Sequence, residues 1–154
     1  MRARSIVFAL LLLATAACST IEKEFDANPP FSPHFFRKFD IELAWMAERK
    51  GQEIVLSGMV TNQRHAYMRD LELTVRLLDD KGGVLARETV ADFPTHLPSG
   101  EAATFHINLR FPAGADPARL RFGYTYCLSE QPPVPRGYGG HEDIPHFGNL
   151  DAPL

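Results

Sequence analysis

The feature that most constrains the fold is an alternation of apolar and polar side chains within the stretch from Met68 to Asp79. The apolar residues fall at every second position, namely Leu71, Leu73, Val75 and Leu77. A period of two is typical of a β-strand that buries one face and exposes the other. Turn-forming residues follow at 79–83, and a second apolar stretch starts at Val84. The pattern therefore predicts a β-hairpin around this turn.

Alternation recurs along the chain, most weakly in the segment that follows the turn. The further segments are Phe39–Trp45, Ile54–Thr61, Val84–Ala91, Ala103–Phe111 and Leu120–Tyr126. No segment after residue 17 shows sustained helical periodicity with capping residues. The segments predict an all-β fold, a single antiparallel immunoglobulin-like β-sandwich of about six or seven strands. Burial of each large inward side chain contributes about 1.5–3 kcal/mol, which is enough to stabilise one domain without a disulfide.

Residues 1–17 have the composition of a secretory signal peptide. Arg2 and Arg4 precede an apolar run from Ile6 to Leu13, and small residues occupy 14–17. A basic start, a short apolar run and a small-residue end are typical of such signals. The run is too short for a bilayer-spanning helix, which needs roughly 20 apolar residues.

The residues before Cys18 resemble the lipobox of bacterial lipoproteins. The segment is Ala-Thr-Ala-Ala-Cys at 14–18, with Thr15 at the usual leucine position. The resemblance implies that Cys18 becomes the acylated first residue, anchored by several lipid chains. Ser19 follows, where an aspartate would resemble an inner-membrane retention signal, so an outer-membrane lipoprotein facing the periplasm is expected. A soluble periplasmic product of a plain signal peptide is the alternative.

Two irregular segments are predicted on either side of a β-sandwich domain at 39–128. Residues 18–38 contain Pro29, Pro30 and Pro33, which disfavour a helix and indicate a tether. Three of its phenylalanines, Phe31, Phe35 and Phe36, are interpreted either as packing on the side of the domain or as a partner surface. Residues 129–154 are rich in proline and glycine, which predicts an irregular tail, either docked or loose.

Three segments of the predicted domain look like bacterial FxLYD-type domains. They are Leu56–Asn62, Val75–Asp79 and Leu97–Glu101 with Phe105. Val75 stands at the phenylalanine position of the naming motif and Leu78 at its tyrosine position. The resemblance covers roughly residues 39–127 and implies a small immunoglobulin- or fibronectin-like sandwich of an exported protein. It implies no catalytic residues.

One cluster in the tail contains residue types that ligate metals. His141, Asp143 and His146 are the weak candidates for a zinc site in a loop. The two histidines are five residues apart with Pro145 between them, so the four-residue spacing of a zincin helix is excluded. A solvated polar loop is the default interpretation, so neither a metal nor a cofactor is expected.

Elsewhere, the candidate reactive residues are isolated in the sequence. His106 lies at an outward position of its predicted strand, with Thr104, Asn108 and Arg110. Polar residues on such a face are more often simply exposed to solvent than part of a binding surface for a partner. Cys127 shares a predicted face with Arg119 and Arg121, and a structural cysteine is more common there than a nucleophile. No phosphate-binding glycine loop or glycine-flanked nucleophile turn is present in the sequence.

Charge and motifs together favour a binding role over catalysis. The formal net charge is −3, with no basic block, so a nucleic-acid-binding surface is not expected. The leading hypothesis is a membrane-anchored, non-catalytic module that binds an envelope protein through strand faces, an edge or the aromatic tether. The alternatives are a small metal-dependent hydrolase using tail residues and a structural spacer in an envelope assembly.

Overall fold

The computed structural model describes residues 34–129 and 144–154. These residues form nine strands, with the following bounds: β1 His34–Arg37, β2 Ile41–Lys50, β3 Glu53–Asn62, β4 Tyr67–Leu78, β5 Val84–Val90, β6 His96–Leu97, β7 Ala102–Arg110, β8 Arg119–Ser129 and β9 Ile144–Pro153. Within these ranges there is no helix long and apolar enough to cross a membrane.

The strands form two antiparallel sheets. The first sheet has the order β1-β2-β3-β7, and the second has the order β5-β4-β8-β9 with the short β6 also paired to β4. The chain crosses between the sheets after β3, after β6 and again after β7, as in the Greek-key connections of immunoglobulin-like sandwiches. The prediction of an all-β antiparallel sandwich is confirmed, with nine strands in the described ranges instead of six or seven.

The core consists of the inward side chains that the alternation predicted. In β4, the leucines and the valine at 71, 73, 75 and 77 are at most 2% exposed. The inward residues of β7 and β8 pack against them, and Trp45 of β2 meets the Phe122 ring with centroids 4.6 Å apart. Since all these strands contribute alternate residues to one cluster, a single hydrophobic core holds the two sheets together.

The hairpin turn after β4 is fixed by one aspartate side chain. The Oδ1 atom of Asp79 accepts hydrogen bonds from the backbone amides of Lys81, at 3.0 Å, and Gly83, at 2.6 Å. Gly82 has φ 85°, a left-handed conformation that glycine adopts without steric penalty. The turn aligns Leu78 with Val84, and a register shift between Leu77 and Leu78 then places Arg76 of β4 directly opposite Arg87 of β5.

The structure corrects the prediction of an irregular segment before residue 39. His34–Arg37 form β1 on the edge of the first sheet, paired with β2. Phe35 and Phe36 are 5% and 2% exposed, so they pack on the domain and do not form a partner surface. Phe39, predicted to start the inward set of the next strand, is 71% exposed, and the Arg64 guanidinium lies 4.5 Å from its ring centroid.

A second correction concerns the C-terminal residues, where an irregular tail was predicted from 129. Ile144–Pro153 form β9, which pairs with β8 from Leu128↔Ile144 to Arg119↔Pro153. An edge strand tolerates proline because one of its sides forms no ladder hydrogen bonds. Leu150 and Ala152 are buried and extend the core. The sandwich therefore exceeds the predicted bounds of 39–128 at both ends.

Candidate functional site

Several of the predicted site residues lie outside the described residues. These are Cys18, Phe31, His141 and Asp143. The remaining metal candidate, His146, lies on β9 and stacks on the Tyr126 ring, with centroids 5.2 Å apart. Among residues 34–129 and 144–154, no three metal-ligating side chains come together. The loop site for zinc stays a prediction, since two of its three ligands are outside these ranges.

The two isolated reactive residues occupy different sheets. His106 is exposed on the outer face of the first sheet, where its Nδ1 atom lies 3.0 Å from the Ser57 hydroxyl. Cys127 is half-buried on β8, opposite Arg69 on one side and Pro145 on the other. His106 and Cys127 therefore do not form a common site.

The outer face of the second sheet brings together residues that the sequence analysis did not connect. The pairing registers place Arg87 of β5, Arg76 of β4, Arg121 of β8 and Asp151 of β9 side by side in one row. Neighbouring strands are about 4.8 Å apart, so three guanidinium-bearing side chains start within about 10 Å of one another. We call this surface, defined by Arg76, Arg87, Arg121, Asn149 and Phe147, the arginine face.

One of the three arginines is neutralised within the row. Arg121 donates from Nε to Asp151 Oδ1 at 2.6 Å and from Nη2 to Oδ2 at 2.8 Å. This hydrogen-bonded carboxylate raises the pKa of Arg121, so the guanidinium stays charged throughout the accessible pH range. Arg76 and Arg87 make no ion pair with any described acidic residue. Like charges directly opposite each other across strands destabilise a sheet, so this row opposes folding.

A shallow depression lies beside the row because β8 has glycine at an outward position. A Cβ atom on Gly123 would lie 3.0 Å from Asn149 Oδ1 and 3.7 Å from Arg76 Nη1. The carboxamide and the guanidinium therefore border the space above the glycine. Two adjoining concave regions, of about 570 and 160 Å³, share Arg76 and Asn149 in their linings. The depression thus places a fixed cation and an amide beside open space, an arrangement suited to an anionic group.

An aromatic side chain borders the other end of the depression. Phe147 of β9 is 79% exposed and lies opposite Thr125 of β8. Along β8, Thr125 is two residues from Gly123, which corresponds to about 7 Å. The arginine face thus combines a cationic row, a depression and an exposed apolar ring on one face of the second sheet.

A further concave region lies between the edges of the two sheets. It has a volume of about 560 Å³ and lies between β5 and β7. Its charged residues are mixed in sign, with Glu53, Glu88, Arg87 and Arg110 all contributing to the lining. Because Glu53 and Arg110 already pair at 3.4 Å, this groove presents less uncompensated charge than the arginine face.

Comparisons with known proteins leave the family unassigned. No protein-family model and no curated protein matches the chain. The chain is similar to a solved structure described as "AvmM Catalyzes Macrocyclization in Alchivemycin A Biosynthesis", with 15% identity, a TM-score of 0.46, and coverage of 82% of this chain and 96% of the other. It is also similar to part of a β-glucuronidase from glycoside hydrolase family 2, with 16% identity, a TM-score of 0.34, and coverage of 57% and 9%.

Similarities this distant carry no argument about the activity of the chain. The resemblances to FxLYD-type domains and to the lipobox likewise stay predictions, because none of these comparisons tests them. The site geometry is therefore the basis for the functional proposal.

Proposed function

We propose that the protein is an exported, lipid-anchored binding module that uses the arginine face to hold an envelope protein. The observation that supports this most directly is the row of three arginines, two of which have no acidic partner in the described chain. A protein that only needs to fold gains nothing from three adjacent like charges. A partner that supplies opposite charge removes that repulsion when it binds.

The anchor and the binding surface are consistent with one role. Acylation at Cys18 would hold the module at a membrane, and the residues between Cys18 and β1 would link it to the sandwich. The location that we propose is the periplasmic side of the outer membrane. A metal-dependent hydrolase using tail residues and a structural spacer are the competing roles, and neither explains the arginine face.

Site-specific photo-crosslinking in intact cells tests the binding role. A photo-reactive amino acid at Asn149 places the probe on the arginine face, and the same probe at Asn108 provides a matched exposed position on the first sheet. We expect a discrete crosslinked species from position 149 that position 108 does not give. The same pattern from both positions, or no species from position 149, would contradict the proposal.

The anchor requires a separate measurement. Metabolic labelling with a palmitate analogue should label the wild-type protein and not the Cys18→Ser variant. An unlabelled wild-type protein recovered from the soluble periplasmic fraction would refute the proposed lipid anchor. The proposed binding of an envelope protein would then still be tested by the crosslinking experiment.

A further inference from the structure

We propose that the arginine face recognises an acidic, extended peptide segment, whose carboxylate binds at Arg76 beside Gly123 and whose neighbouring apolar side chain packs on Phe147. This inference rests on the proposed binding function and specifies the chemistry of the partner. The carboxylate is indicated by the guanidinium itself, because its planar pair of N–H donors matches the two oxygens of a carboxylate. Arg76 provides such donors with no competing acid among the described residues.

The spacing of the face fits a peptide in the extended conformation. In an extended chain, side chains two residues apart lie on the same side, about 7 Å from each other. The depression above Gly123 and the position of Thr125, beside Phe147, are separated by the same two-residue step along β8. An acidic residue and an apolar residue at positions i and i+2 would therefore reach the depression and the Phe147 ring together.

The charge pattern favours a peptide over a lipid surface. The cationic row ends at Asp151, and Glu72 lies on the same outer face two residues before Thr74. These two carboxylates border the depression on different sides, so a broad anionic surface would meet repulsion at both. A peptide places its carboxylate at one point and avoids both acids.

The test measures peptide binding by the full mature protein in nanodiscs of zwitterionic lipid. The probe is a fluorescein-labelled peptide that repeats Glu-Ser-Leu-Ser, followed by fluorescence anisotropy. The matched control peptide has Gln in place of each Glu. We expect the Glu peptide to bind and the Gln peptide to bind at least about tenfold more weakly, with an affinity that falls as salt is added.

Two arginine variants locate the binding site. Arg76→Glu should weaken binding of the Glu peptide about tenfold, and Arg76→Gln should weaken it by a smaller factor. Arg110→Glu makes the same change in net charge on the first sheet, at a side chain 85% exposed, and should change the affinity less than twofold. Circular dichroism spectra that match the wild type show that each variant is folded.

Several outcomes would overturn the inference. Equal binding of the Glu and Gln peptides, equal effects of Arg76→Glu and Arg110→Glu, or no binding up to about 1 mM peptide would each do so. Tighter, Arg76-dependent binding of phosphatidylglycerol vesicles or of oligogalacturonate would assign the face to another anion. If peptide binding fails and the crosslink from position 149 persists, the acidic-peptide inference is wrong and the binding function stands. If both fail, both proposals are wrong.

Discussion

The two outer faces of the sandwich treat their cationic side chains differently. On the first sheet, described cations have acidic neighbours: Arg37 binds Glu42 at 2.6 Å, Lys50 lies 3.0 Å from Glu48, and Arg110 lies 3.4 Å from Glu53. On the second sheet, Arg76 and Arg87 lie beside Arg121 without such neighbours. Both faces are built from the same kind of paired strands, so the difference lies in the choice of side chains.

This difference affects how the charged side chains of each sheet contribute to stability. Exposed ion pairs contribute at most about 1 kcal/mol each, so the first sheet gains a little stability from its pairs. The row on the second sheet has one such pair, Arg121 with Asp151, but Arg76 and Arg87 lie opposite each other without an acidic partner among the described residues. No requirement of the fold explains their repulsion. The proposed binding role of the second sheet would account for this difference, and the following variants challenge or refine the comparison.

The largest expected effect distinguishes the two central glycines. Gly58 of β3 faces the core, where a Cβ atom would overlap the Ala44 carbonyl and the Phe105 ring, so Gly58→Ala should destabilise the protein by about 3 kcal/mol. Gly123→Ala should change the free energy of unfolding by less than about 0.5 kcal/mol, because the two nearest atoms belong to the side chains of Asn149 and Arg76, and the Thr74 carbonyl at 3.9 Å is at an ordinary van der Waals distance. Urea denaturation measures both values. Similar losses for the two variants would show that the outer position is not an open depression.

The next largest effect is a loss of stability at alkaline pH, caused by Tyr124, which is buried under the arginine face. Burial, and secondarily the charge of Asp40, raises the pKa of Tyr124 to about 12. The folded state therefore favours the neutral phenol. The contribution of Tyr124 to the free energy of unfolding is complete below the ordinary pKa of 10, and it is lost as the pH rises from about 10 through 12. Stability curves should decline over that interval in the wild type.

The Tyr124→Phe variant should lack that decline. At neutral pH it should also be as stable as the wild type or more so, because no described residue hydrogen-bonds the buried Tyr124 hydroxyl. Thermal unfolding at a series of pH values, compared between the two proteins, provides the measurement. An equal alkaline decline in Tyr124→Phe would remove Tyr124 as its cause.

A smaller effect comes from the acid that ends the cationic row. Asp151→Asn releases Arg121 from its carboxylate, so the face should bind the acidic peptide about threefold more tightly, with a slight loss of stability. Glu42→Gln removes the comparable partner of Arg37 on the first sheet and should leave peptide affinity unchanged. Peptide anisotropy with both variants checks this expectation. An unchanged affinity of Asp151→Asn would mean that Arg121 does not contribute to the surface.

The sequence predicts the strands of this molecule better than it predicts the site. The alternation in β4, β7 and β8 follows from local burial, and Asp79 and the glycines after it specify the hairpin turn. The hairpin brings β4 beside β5, and the pairing of Arg76 with Arg87 depends in addition on the register shift between Leu77 and Leu78, which the alternation does not predict. The position of Arg121 in the same row depends on the pairing of β4 with β8, which are 40 residues apart in sequence and whose register no local pattern specifies.

The edge strands were missed for a different reason. In β9, Pro145, Gly148 and Pro153 are breakers of a regular pattern, and only its pairing with β8 makes it a strand. Without β9, the sequence gives no reason to connect Phe147, Asn149 or Asp151 to the arginines. In β1, four residues next to a proline-rich segment are too few to show a period.

The most direct test of the central claim is the free energy of unfolding of Arg76→Glu measured beside that of Arg110→Glu in urea. If the row opposes folding, Arg76→Glu gains opposite charges on both sides and should be about 0.5 kcal/mol more stable than the wild type. Arg110→Glu places an acid opposite Glu53 and should be slightly less stable than the wild type. A loss of stability in Arg76→Glu as large as that in Arg110→Glu would contradict the claim that the arginine row destabilises the folded protein.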